Sequence, residues 1–281
     1  MYMKSLVSLA VLGAMSAVAT AGDHVVFDKP NESYTVDGLN KYGATINASD
    51  ITITNTTYNG IDAYGVFDLN AANDISIQGA TNGIFTPTDH ENSSITITTP
   101  KKLTITGPWA IHAEGKGTIT IDAGDLVLRG SNGIAANSTG TVSIDAQTVD
   151  IASTNKYGVS SANTGGVTIK AEKSIYIKGG SANAVNGLQG AIKLESNGTT
   201  VVDGDILAKA ATVSADFKAR FRLTSRAQVP RSRAPSSQRP QARRRSASPT
   251  ARSGRPKATA RSPYSPSRAV SSTSTTTTSR P

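Results

Sequence analysis

Two short segments of this 281-residue chain carry the residue types that acid–base chemistry needs, Asp203-Gly204-Asp205 and Asp89-His90-Glu91. Cleaving a glycosidic bond takes two carboxyl groups placed across a groove, one to donate a proton and one to act as base or nucleophile. Asp203, Asp205 and Asp89 are the acid groups that such a reading would use. Asp-Gly-Asp is also an ordinary turn sequence, and residues 85–94 form the longest connection in the chain, where polar side chains are expected in any case. Asp122 and Asp145 occupy matching Ile-Asp-Ala contexts, as in a ladder of metal-ligating carboxylates, but the next equivalent residue is Lys170. His24, His90 and His112 are scattered and lack the His-Glu-x-x-His spacing of a zinc helix. Trp109, the one tryptophan, would pack at a corner, cap a groove or contact a sugar ring. On these patterns the chain is predicted not to be an enzyme, with no catalytic residue, no metal site and no cofactor.

The elements that must position these residues are set by a repeat. A doublet of apolar residues with one residue between them recurs as Ala44/Ile46, Ile95/Ile97, Ile119/Ile121, Val142/Ile144, Val167/Ile169 and Ile192/Leu194, with Val66-Phe67 filling the gap between the first two. A second series follows each: Ile51/Ile53, Ile75/Ile77, Leu103/Ile105, Leu126/Leu128, Val149/Ile151 and Ile175/Ile177. A third places a small residue before an aliphatic one, at Gly60-Ile61, Gly83-Ile84, Ala110-Ile111, Gly133-Ile134, Gly158-Val159 and Ala184-Val185. All three keep one period; Ile97, Ile121, Ile144, Ile169 and Leu194 are separated by 24, 23, 25 and 25 residues.

Alternation with period two points both aliphatic residues of a triplet to one face and the Thr, Ser, Asp or Lys to the other. Strands of three to five residues cannot bury that face alone. Stacking coil on coil about 4.8 Å apart solves the problem, because each strand then pairs in parallel with its counterparts above and below. The predicted fold is an all-β, right-handed parallel β-helix of about seven coils with three short strands per coil. The stack would run over 42–216, after a lead-in or cap at 22–41 in which Val25-Val26-Phe27 could serve as a capping strand. Gly60, Gly83, Gly133 and Gly158 are the predicted corner residues, needed there for a positive φ or for close packing. The far edge near Ile206 is predicted to be uncapped.

At the N-terminus, Lys4 precedes an apolar run at 6–18 and the small residues Ala19-Thr20-Ala21, the pattern of a secretory signal peptide over 1–21 cleaved after Ala21. The run is shorter than the roughly 20 residues that a membrane-spanning helix needs. An exported chain reaches a compartment that permits disulfides, yet there is no cysteine, so stability must come from burial and hydrogen bonding.

A signal peptide, no cysteine, few aromatics and Thr/Ser/Asn/Gly-rich coils such as Thr118-Ile119-Thr120-Ile121-Asp122-Ala123-Gly124 and Thr141-Val142-Ser143-Ile144-Asp145-Ala146-Gln147 together resemble the passenger domain of a bacterial autotransporter, over about residues 23–216. The resemblance implies a non-enzymatic passenger at the cell surface or outer membrane, or secreted. It would act in adhesion, autoaggregation or biofilm formation. The implied partners are host or bacterial surface glycans or proteins, or other copies of itself, contacted through loops 85–94 and 181–190. The alternative is a secreted β-helix polysaccharide lyase or glycoside hydrolase. The family's passenger is carried outward by a C-terminal outer-membrane barrel, and this chain departs from the family there, since residues 217–281 hold no alternating ten-residue segments with aromatic girdles. Without a translocator the protein is expected to stay in the periplasm.

The net charge of +9 averages two unlike pieces. Up to residue 219 there are 13 Lys and one Arg against 20 acidic residues, a net −6; from Arg220 on, 14 Arg and Lys257 face no acid, a net +15. The overall basicity therefore assigns no specific nucleic-acid partner to the repeat. The tail lacks Asp, Glu, Asn and Ile and is predicted to be disordered. It reads as a solvated linker, as a basic arm for an acidic polymer, or as the product of a reading-frame shift near 218–221. The abrupt change in arginine usage favours the last. Translation of the other frames downstream of codon 218 should then yield alternating strands and a terminal barrel; two frames without them overturn that reading.

Overall fold

The computed structural model describes residues 24–90, 93–209, 212–217 and 220–223. The signal segment with Ala19 and Ala21, Glu91, and the tail from 224 onward lie outside the described residues. The chain is an all-β parallel solenoid of about seven turns. The three apolar series become three parallel sheets. Equivalent residues pair in register from coil to coil: Ile97 with Ile121, Ile121 with Ile144, Ile144 with Ile169 and Ile169 with Leu194. In the second sheet Ile53, Ile77, Ile105, Leu128, Ile151 and Ile177 stack in the same way, and in the third Ile61, Ile84, Ile111, Ile134, Val159 and Val185. These residues form one continuous buried core, most of them with no exposed surface.

Several details differ from the sequence reading. The doublet of the second coil is Phe67 and Leu69, which pair with Ala44 and Ile46 below and Ile95 and Ile97 above, while Val66 is 47% exposed. The strand Ile61–Ala71 runs unbroken from the third sheet into the first, with a register irregularity below it between Lys41 and Gly43, so the alternation begins one residue later than the sequence implies. The strands are also longer than three to five residues. In Ser94–Thr106, Thr118–Gly130, Thr141–Ser153 and Gly166–Lys178, the first and second series belong to one 13-residue strand that bends without leaving extended geometry. The ladder also runs past both predicted boundaries. Val25–Lys29 and Tyr34–Val36 pair with the following coil as Phe27 with Ile46 and Tyr34 with Ile51, so 25–39 is a coil rather than a lead-in. At the other end Ile206–Lys209, Thr212–Phe217 and Arg220–Leu223 pair with the coil before them.

Each corner has its own device. Between the first and second sheets a buried column of small residues, Ala48, Ala71, Thr99, Ala123, Ala146, Ala171 and Ser196, fills the concave side of the bend. Between the third and first sheets one residue takes a left-handed conformation in each of four successive coils: Gly115, Ser138, Asn163 and Gln189, with φ of 58°, 56°, 56° and 71°. Between the second and third lie Gly60, Gly83, Gly133 and Gly158. None of these four has a positive φ; they are glycine because the adjacent coil leaves no room. A Cβ on Gly60 would lie 2.7 Å from the Gly83 carbonyl oxygen, and one on Gly158 would lie 2.7 Å from that of Ala184 and 2.6 Å from Ile177 Cγ2. On Gly166 its nearest neighbour would be Thr141 Cγ2 at 3.9 Å. Gly158→Ala should therefore destabilise the solenoid by about 1–3 kcal/mol through overpacking. Gly166→Ala should be neutral or stabilising by up to about 1 kcal/mol, because it only restricts the unfolded chain. Urea unfolding of the two variants checks this, and equal losses would contradict the packing account.

Candidate functional site

The outward positions of the third sheet depart most from the Thr/Ser pattern. The residue after each aliphatic of the third series faces away from the core, and in three successive coils it is Asp62, Phe85 and His112, paired in register. Tyr64 lies two residues further along the unbroken strand Ile61–Ala71 and Glu114 directly follows the strand Trp109–Ala113, and the connection after Asn82–Thr86 folds back over this face. His90 meets Tyr64 edge-on, with ring centroids 4.5 Å apart, and lies 3.7 Å from Asp89. Thr88 donates from Oγ1 to Glu114 Oε2 at 2.8 Å, tying the connection to the next coil.

His112 is the organising group. Its ring stacks on Trp109 at 4.9 Å with 19° between planes and lies tilted against Phe85 at 5.3 Å. Nε2 is 3.0 Å from Glu114 Oε1 and 3.0 Å from the Asn137 side-chain amide. With its proton on Nε2 the ring donates to Glu114, and Asn137 can then only accept from it through its oxygen, not donate to it. Burial pushes the imidazole below its ordinary value, against the opposing pull of the Glu114 charge and hydrogen bond.

Asp62 is the second perturbed group. Burial raises its carboxyl above the ordinary value; a hydrogen bond from Asn59 opposes this, the Asp89 carboxylate adds to it and His90 reduces it. One oxygen, Oδ1, is buried without a partner among the described residues. The neighbouring Tyr64 phenol is raised chiefly by the Asp62 charge, then by its own burial and by Asp89. A half-buried acid beside exposed Asp89, within an aromatic surround, can donate protons or hydrogen bonds to a polar ligand laid on this face.

No protein-family model, curated protein or solved structure matches this chain. Its chemistry is therefore read from its own residues.

The structure separates the acidic residues that the sequence singles out. Asp89 joins Asp62, whereas Asp203 and Asp205 flank Gly204 (φ 127°) at a turn several coils away, where the Tyr176 hydroxyl donates to Asp203 Oδ2 at 3.5 Å. Asp122 and Asp145 do stack in register and Lys170 follows Asp145, along a shallow exposed groove with Thr98, Gln147 and Glu172. His24 sits apart, just before the strand Val25–Lys29, with Nε2 2.9 Å from Thr45 Oγ1. In 181–190, the residues Val185–Leu188 are a third-sheet strand, so only the turn before them and the corner at Gln189-Gly190 after them are loop. Sequence reasoning missed Asp62, Tyr64, Phe85, Glu114 and Asn137. For Asp62 and Phe85 a signal existed, since each directly follows a third-series aliphatic as His112 does.

Because the folded state holds His112 below the ordinary value near 6.5, its contribution to stability is present above pH 6.5 and is lost as pH falls through the lowered folded value. The urea midpoint of the native protein should therefore drop between pH 7.5 and pH 5 by more than that of His112→Gln. An equal drop in both would show that this imidazole takes up its proton as readily folded as unfolded.

Proposed function

We propose that this protein is an exported, non-catalytic β-solenoid that acts at the cell surface or after secretion, in adhesion, autoaggregation or biofilm formation. The observation that carries the reading is the concentration of Asp62, Tyr64, Phe85, Trp109 and His112 on one face of an otherwise Thr/Ser-decorated ladder. Such a patch, rigidly backed and partly aromatic, suits contact with another surface. The signal-like N-terminus supports export. The resemblance to autotransporter passengers supports a place outside the inner membrane.

One observation favours a second reading, a polysaccharide lyase or hydrolase: the raised Asp62 carboxyl lies close enough to Asp89 to feel its charge. The two readings separate in one experiment. Beads coated with the purified full chain should clump, or be retained on a bacterial lawn, while incubation with polysaccharide releases no new reducing ends or unsaturated products. Beads that neither clump nor adhere would sink the adhesive reading. Product release that disappears in Asp62→Asn would establish the enzyme instead.

A further inference from the structure

Just before each third-series glycine or alanine, the sequence alternates asparagine with aromatic residues: Asn59, Asn82, Trp109, Asn132, Tyr157 and Asn183. Trp109 pairs in register between Asn82 and Asn132, and the bond from Gly133 N–H to the Tyr157 carbonyl at 3.0 Å continues that register to Tyr157. Where two asparagines are successive, the later donates to the earlier: Asn82 Nδ2 to Asn59 Oδ1, 2.7 Å, buried. Each aromatic residue breaks this amide ladder. Among the described residues Asn82 Oδ1, whose donor would come from position 109, has no partner, and neither has Asn132 Oδ1, whose donor would come from position 157. Both asparagines are more than nine-tenths buried, at 6% and 4% exposure. A buried carbonyl oxygen without a donor is a standing cost. Asparagine at either aromatic position would remove it with the donor geometry that the ladder already uses.

Aromatic residues retained where the fold would be better satisfied by asparagine point to a task other than folding. Trp109 and Tyr157 are both half-buried, so part of each remains accessible. They stand two coils apart, roughly 10 Å along the solenoid at two strand spacings, about the span of a disaccharide. Trp109 is held flat against His112, which Glu114 and Asn137 hold in turn. We infer that Trp109 and Tyr157 are the two stacking platforms of a saccharide-binding strip along the corner between the second and third sheets. Glu114 and Asn137 would supply hydrogen bonds to ring hydroxyls. The C–H face of a sugar ring covers an aromatic plane while its hydroxyls demand polar partners at the edge; Trp109 at this corner offers the plane, and Glu114 and Asn137, at the far end of the third-sheet strands and joined to it through His112, offer the polar partners. The inference rests on the surface-binding reading and gives that surface a ligand class.

The test uses the full chain with Trp109→Asn, Trp109→Ala and Tyr157→Asn. Affinity electrophoresis through chitin-derived soluble glycan, soluble cellulose derivative and alginate should retard the native protein on at least one of them, and each substitution should weaken that retardation at least tenfold. Trp109→Asn should melt above Trp109→Ala by roughly 2–4 °C, since only asparagine restores the donor. No retardation on any of the three glycans, or Trp109→Asn binding as the native protein does, overturns the proposal. A melting point no higher for asparagine than for alanine overturns the ladder argument behind it. Coated beads that adhere as strongly with Trp109→Ala, or to a lawn whose sugar diols periodate has cleaved, would leave the adhesive reading standing with a protein ligand and remove the saccharide strip. Native beads that never adhere remove the adhesive reading itself.

Discussion

The backbone ladder between successive coils is the interaction on which everything else in this solenoid depends. Each strand satisfies its amides and carbonyls through the coils above and below, not within its own coil. Every named strand pairing is parallel, and an antiparallel bridge between Ala162 and Gln189 stands outside the strands. Parallel, in-register pairing forces like to stack on like. An isoleucine column then becomes a core without any coil having a core of its own, and burying those side chains stabilises the fold by roughly 1.5–3 kcal/mol each.

The same constraint makes the corners exacting. Coils about 4.8 Å apart leave almost no volume where the chain turns toward its neighbour, so the second-to-third corner is glycine or alanine from Gly60 to Ala184. In four successive coils the third-to-first corner is a single left-handed residue, which frees it from small size: Ser138, Asn163 and Gln189 occupy it as well as Gly115. Extra residues are absorbed where the chain faces solvent. The connection around Thr88 and His90 is one such place, and it is the one that carries side chains onto the third sheet.

That placement explains why a perturbed carboxyl and a perturbed imidazole gather there, whereas Tyr34 and Tyr176, both raised chiefly by burial, lie elsewhere in the stack. Asp62 and His112 hold the outward positions of the third sheet beneath the folded-back connection, where desolvation is the leading influence on both. Glu114 links His112 to Thr88, so the connection, the imidazole and Trp109 are held as one unit. The aromatic interruptions of the asparagine column lie on this side of the molecule, between the second and third sheets.

By itself the sequence determined the architecture. Three aliphatic series in step specify strands, their inward faces and their order, because a parallel ladder has the period of its repeat. Leu126, Ile134 and Ile144 could be assigned to their sheets without coordinates. Boundaries were less legible: Val25–Lys29 belongs to the stack although its sequence lacks the tidy triplet, and the fused 13-residue strands hide a corner that alternation alone cannot reveal. Only the tertiary structure decided the site. It brought Asp62, Phe85 and His112 together from three coils, separated Asp89 from Asp203, and placed Trp109 above an amide oxygen with no donor. Those relations run perpendicular to the chain, through the stacking direction, and a residue's neighbours along that axis are fixed by the ladder and the folded connection, not by the residues next to it in sequence.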